Sequence, residues 1–188
     1  MPANPADDDL ELGTLDQRDG RWELTFVRRS PHPPEKVWRA ITEPEHLAAW
    51  FPTSIDGDRA PGAPLSFSFP FPEAPTMEGE VLAFDPLERF EFRWGDEVIA
   101  IELTGLDDGG CELRFTNRFD EVGKAARDAA GWHACLDRLG YEISGESLPW
   151  DPDDRWAMVH PAYVEHLGPE ASVIGPPDWH PESADSTT

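Results

Sequence analysis

The side chains able to do chemistry are few and scattered. His133 stands beside Trp132 in a helical pattern, and an imidazole can move a proton near neutral pH. No partner for it is set by spacing, so a surface or boundary position is the favoured reading. Asn117 sits between Phe115 and Phe119 on an apolar strand face. A buried amide must find partners, so it bonds either a ligand carbonyl or hydroxyl, or backbone at a bulge. Arg28 follows Trp22, Leu24 and Phe26 in the same register. There it neutralises a ligand carboxylate or, the preferred reading, snorkels to water from the strand end. The two cysteines, Cys111 and Cys135, read as small buried hydrophobes. There is no CxxC, His160 and His166 are six apart, unlike a zinc-ligand pair, and neither a GxSxG elbow nor a P-loop occurs. No catalytic set, metal site or cofactor is expected.

More numerous are the rings. Phe67, Phe69, Phe71, Phe90, Phe92, Trp94, Phe115, Phe119 and Trp132 all fall in inward register. Taken singly, each is core filling, because interiors are close-packed. Taken together they describe an apolar, aromatic lining of the kind ligand sites have. The candidate ligand-binding set is Trp50, Phe67, Phe69, Phe92, Trp94, Phe115, Asn117, Phe119, Trp132 and Arg28.

These residues need elements to position them. Residues 21–29 alternate, with Trp22, Leu24 and Phe26 on one face, as a half-buried strand does. Pro33 and Pro34 then suit a first helical turn, and Val37, Trp38 and Ile41 recur at helical spacing. Thr42 and Glu45 have capping-box spacing, predicting a second short helix that ends at Trp50. Leu65, Phe67, Phe69 and Phe71 alternate cleanly with Ser66, Ser68 and Pro70. Further strands are expected at 77–84, 89–94, 99–103 and 111–119, with Gly95-Asp96 and Asp107 to Gly110 as turns. From Val122 the period changes, and Ala125, Ala129, Trp132, Leu136, Leu139 and Ile143 predict one long amphipathic helix ending at Gly140 or Gly145. One face of the strand meander is apolar and needs a cover; only the long helix is long enough. A curved sheet wrapped on a single helix leaves a gap between them near one end.

Charge and composition limit the partners. The 188 residues hold 38 acids against 15 Lys and Arg, for a net charge of −23. Such a field repels nucleic-acid phosphates and anionic lipid, which argues against both as main partners. The acidity suits a high-salt interior, and the excess of Arg over Lys equally suits GC-rich coding. No apolar run approaches the length of a membrane span, and no signal-peptide h-region is visible, so the expected location is cytoplasmic. Residues 1–20 read as an acidic flexible arm, 21–145 as the folded domain, and 146–188 as an acidic Pro- and Trp-rich extension. The extension is expected to be irregular with one short helix at 155–167, Trp150 and Trp156 either closing the pocket mouth or packing elsewhere.

Three blocks carry a family resemblance: Pro34-Glu35-Lys36-Val37-Trp38-Arg39-Ala40-Ile41-Thr42-Glu43-Pro44-Glu45-His46-Leu47-Ala48-Ala49-Trp50-Phe51, then Glu78-Gly79-Glu80-Val81 through Asp85-Pro86, then Gly131-Trp132-His133-Ala134-Cys135-Leu136-Asp137-Arg138-Leu139. Over about residues 21–143 the chain resembles the SRPBCC, or START-like, superfamily, and within it the family similar to the C-terminal domain of the heat-shock-protein-90 ATPase activator. Pro61-Gly62-Ala63-Pro64 departs from that pattern, which usually has paired glycines before the first long strand. The resemblance implies the helix-grip α+β fold: a curved antiparallel sheet of six to seven strands around a long C-terminal helix, with two short helices after the first strand. It implies a ligand-holding or partner-binding body with no shared catalytic set, and fold alone does not fix function. Three functions compete: a binder of an apolar or aromatic small molecule or lipid, a cyclase-, aromatase- or hydrolase-like enzyme using His133, Arg28 or Asn117, and a co-chaperone-like interaction module. A homodimer or protein partner is left open.

Overall fold

Alternating apolar residues and tight turns build one antiparallel sheet. The computed structural model describes residues 10–70 and 74–175. The sheet comprises β1 (Thr14–Arg18), β2 (Arg21–Ser30), β3 (Ser54–Asp56), β4 (Pro64–Ser68), β5 (Met77–Asp85), β6 (Arg89–Trp94), β7 (Glu97–Gly105) and β8 (Cys111–Phe119). Its order is β1-β2-β8-β7-β6-β5-β4-β3. The helices α1 (Pro34–Thr42) and α2 (Pro44–Trp50) separate β2 from β3, and α3 (Ala125–Ser144) follows β8. This is the helix-grip architecture, and α3 lies on the apolar face. On the opposite face, charges pair across strands, as in Arg118–Glu23 at 2.8 Å and Arg89–Glu102 at 2.8 Å. An antiparallel sheet tolerates that division because one face can meet water.

Eight strands form where six or seven are expected. The additional β1 lies in the segment read as a flexible arm: Leu15 pairs with Leu24 and Arg18 with Arg21. The reason is the turn. Asp19 and Gly20 both have positive φ, 51° and 80°, the combination that a two-residue hairpin of this twist requires. Repulsion among Asp7, Asp8 and Asp9 concerns residues outside those described. The short β3, in the Gly- and Pro-rich turn region, is the second addition; it pairs Ile55 with Phe67. Phe71 lies outside the described residues.

The helix boundaries follow local chemistry with one correction. Thr42 does not cap α2. Its hydroxyl is buried and donates back to the Trp38 carbonyl at 2.7 Å, while Glu43 takes the N-cap position without a side-chain bond. Pro44 at the first turn makes the cap dispensable, since its missing N–H needs no acceptor. α3 ends at Gly145, whose φ of 74° is the left-handed C-cap conformation.

The helix expected at 155–167 in the extension forms within one residue of those bounds. A fourth helix, α4 (Asp154–Leu167), buries Trp156, Val159 and Tyr163 at three- and four-residue spacing against α3. Beyond it the Ile174 N–H donates to the Gly123 carbonyl at 2.9 Å, tying the chain back to the start of α3. α3 is therefore covered on two sides, by the sheet and by α4, which is why Ala125, Ala126, Ala129 and Ala130 are all buried. No helix among the described residues is long and apolar enough to cross a membrane.

Candidate functional site

The gap between sheet and helix lies at the N-terminal half of α3. It is an open groove of about 1400 Å³. Phe51, at the end of α2, Phe69, after β4, Met77 at the start of β5, Trp94 at the end of β6 and Trp132 on α3 supply its apolar wall. Three of these rings touch one another: Trp94–Trp132 at 5.4 Å, Phe51–Trp132 at 5.6 Å and Phe51–Trp94 at 6.1 Å between centroids. Those separations are the ones at which tilted and edge-on aromatic pairs attract.

A polar chain fixes the inner wall. The Trp132 indole N–H donates to Asn117 Oδ1 at 3.0 Å, and Asn117 Nδ2 donates to Glu97 Oε2 at 2.7 Å. Glu97 pairs in turn with Lys124, which also meets Asp128 at 3.2 Å. Burial works to lower the Lys124 ammonium, but Asp128 and Glu97 outweigh it and hold it above the usual lysine value. Asn117 is wholly buried with both ends of its amide occupied by protein. Its partners are thus neither a ligand nor backbone at a bulge but two side chains.

Arg138 of α3 also lines the groove. Its Nη2 donates to the Trp50 carbonyl at 3.1 Å and lies 3.6 Å from Cys135 Sγ. Burial pushes the Cys135 thiol up, with Arg138 partly offsetting it, which favours the neutral thiol. Trp156 borders the groove from α4, whereas Trp150 lies elsewhere, edge-on to Tyr141 at 5.1 Å.

A second, smaller depression of about 840 Å³ lies nearer the C-terminal end of α3, with Arg28, His133, Asp137 and Arg155 on its surface. Behind it runs a second polar chain. The Gly13 N–H donates to the Tyr163 hydroxyl at 3.0 Å, and that hydroxyl lies 2.9 Å from His133 Nδ1. His133 Nε2 is 3.4 Å from Asp137 Oδ2, which also takes Arg155 at 2.7 Å. The Asp137 carboxylate can only accept, so Nε2 carries an imidazole hydrogen toward it, and in the neutral imidazole Nδ1 then accepts from the Tyr163 hydroxyl. Burial alone would raise Asp137; His133 and then Arg155 overcome it and hold the carboxyl below its usual value. Burial pushes Tyr163 up to about 12.

The sequence-derived site residues thus divide. Phe69, Trp94, Phe119 and Trp132 line the large groove. Trp50, Phe67, Phe92 and Phe115 are fully buried, and border neither opening. Arg28 borders the second depression, 3.5 Å from His133 and 4.0 Å from Glu11. Of the surface or boundary positions expected for His133, the structure gives the boundary one: its side chain is buried but borders the second depression. His133 and Asn117 share no opening. Phe51, Met77, Lys124 and Arg138 are groove residues that strand alternation passes over. For Arg138 a signal existed: Gly131, Cys135 and Arg138 follow each other at four and three on α3. Among the described residues no group of three or more His, Cys, Asp or Glu could hold a metal ion.

A curved eight-stranded sheet gripping one long helix, with an aromatic groove at its end, defines an SRPBCC-type protein. The family model described as activator of Hsp90 ATPase homolog 1-like protein matches residues 31–143, and the chain belongs to that family. No curated protein matches it. Solved structures share the fold. A conserved protein of unknown function, EF2215 from Enterococcus faecalis, superposes with a TM-score of 0.68 at 19% identity, covering 82% of this chain and 90% of its own. CalU16 from Micromonospora echinospora does so at 0.66 and 22% identity, covering 81% and 95%. MLL2253 from Mesorhizobium loti does so at 0.54 and 24%, covering 66% and 99%. The matched family segment ends before α4, so the helix that borders the groove through Trp156 lies outside it.

Proposed function

We propose that this protein binds a ring-bearing apolar small molecule in the groove between α3 and the sheet end. The observation that supports the reading is the three-ring wall of Phe51, Trp94 and Trp132, held in contact and facing an opening large enough for a drug-sized molecule. Flat rings offer stacking surface, and an aromatic guest gains on them beyond area burial alone. Binding is favoured over catalysis because His133 and Asn117 do not converge on a common opening, and each is already engaged by protein partners.

Naphthylmethanol, a neutral two-ring probe, tests the reading by titration against tryptophan fluorescence. Saturable quenching is expected, and the substitution Phe69→Asp should weaken it about tenfold by placing a charge at the half-buried groove edge. Native mass spectrometry of gently purified protein should also carry an apolar adduct. Absence of saturable quenching would overturn the proposal, as would a Phe69→Asp affinity equal to wild type.

A further inference from the structure

The inference concerns Arg138 and rests on the groove reading above. This chain has 38 carboxylates for 15 Lys and Arg, so an arginine has no shortage of acids to pair with. The other basic groups of the groove are paired: Arg21 with Asp120 at 2.7 Å, Lys124 with Glu97 and Asp128, and Arg127 with Asp128 at 2.9 Å. Arg138 is not. Among the described residues it forms no ion pair; its only acceptors are the Trp50 carbonyl and the Cys135 sulfur, both at Nη2, and its Nε is buried without a partner. The two carboxylates nearest it along α3 are taken elsewhere. Asp137 faces His133 and Arg155, and Glu142 accepts His46 Nδ1 at 2.7 Å.

The backbone carbonyl and the thiol thus orient the guanidinium without neutralising it. A partly buried charge left uncompensated is costly, and such a charge on a ligand-sized groove is the form an anion-recognition site takes. Guanidinium is also the side chain suited to a carboxylate, because its planar fork presents parallel donors. Trp132 and Arg138 lie six residues apart on α3, about 9 Å along the helix axis, and Arg138 bonds the residue next to Phe51, so a rigid aromatic acid stacked on the ring wall can reach the charge.

We propose that the ligand of this groove is an aromatic carboxylic acid, its rings against Phe51, Trp94 and Trp132 and its carboxylate on Arg138. The long-range field opposes this choice, since a protein of net charge −23 repels any anion. A preference for the acid over its neutral counterpart must therefore come from a local contact.

The test compares naphthoate with naphthylmethanol by calorimetry on the full chain. Wild type should bind the acid about tenfold more tightly than the alcohol. Arg138→Gln should abolish that preference, and Arg138→Lys should restore part of it. Because the wild-type comparison needs no substitution, a variant that folds poorly does not remove the test. Equal affinity for the two probes, or an acid preference that survives Arg138→Gln, would overturn the carboxylate assignment while the groove reading stands. Failure of both probes to bind would overturn the groove reading and this inference together.

Discussion

The indole N–H of Trp132 is bonded to Asn117 Oδ1 at 3.0 Å, which joins the long helix to the interior strand β8 by a side-chain bond inside the core. It fixes one ring of the groove wall, because an indole that has found its acceptor resists rotation away from it. The same amide reaches Glu97 at 2.7 Å, so Asn117 couples the ring to the charged groups at the start of α3.

Replacing Asn117 by Leu keeps the branched shape, adds some bulk and removes both bonds. Trp132 Nε1 is then a buried donor without an acceptor, and Glu97 retains only Lys124. The expected cost is about 2–3 kcal/mol, read as a lower urea midpoint with an unchanged slope. An unchanged midpoint would mean that water replaces the amide.

Tyr163→Phe tests the second buried chain. Without its hydroxyl, the Gly13 N–H and His133 Nδ1 each lose a buried partner, while the ring contact with Phe26 at 6.4 Å is kept. We expect a loss of about 1–3 kcal/mol by urea unfolding. Hydrogen exchange at Gly13 should speed up as well; an unchanged rate there would show that the bond does not hold the N-terminal strand.

Two pH limits follow from the same chain, with opposite signs. Asp137 is held below its usual value, so its stabilising effect is present above the unfolded carboxylate value of about 3.9 and disappears as pH falls through the folded one. Asp137→Asn should flatten the acid side of a stability profile measured between roughly pH 3 and 7. Tyr163 titrates at about 12 when folded, against 10.0 for an exposed tyrosine. The unfolded chain therefore loses that proton first, and stability falls as pH rises from 10 toward 12. Tyr163→Phe should lessen this alkaline loss, whereas an identical alkaline slope in the variant would exclude the tyrosine as its source.

Gly79 lies on β5 opposite Trp94 of β6. A Cβ there would collide with the Arg93 carbonyl oxygen and stand 2.7 Å from Phe67 Cε2. Neither the ladder backbone nor a fully buried ring can yield cheaply. Gly79→Ala should destabilise the protein by more than about 3 kcal/mol and reduce its soluble yield; a melting temperature within a few degrees of wild type would contradict that geometry.

Local pattern and tertiary placement divide this protein between them. Strands from Arg21 to Phe119 were legible because side chains on a pleated strand alternate, and the long helix because Ala125 to Ile143 recur at three and four. The hairpin at Asp19-Gly20 was not read, because the acidity of residues 1–20 pointed to a flexible arm and the pairing of Leu15 with Leu24 is a contact between two strands. Core and groove could not be separated by such patterns. Phe67 and Phe69 share a face and a residue type, yet one is wholly buried and the other lines the opening, since alternation reports the side of a sheet and not the distance from its end. Likewise Asn117 reads only as a buried amide until α3 delivers Trp132 to it, and Arg138 reads as a helix-surface charge until α2 brings the Trp50 carbonyl. The sequence by itself determined the elements and their apolar faces, because backbone periodicity is a local property. Which rings form a wall, and which charge is left without a counterion, only the folded structure decided, because those depend on contacts between residues far apart along the chain.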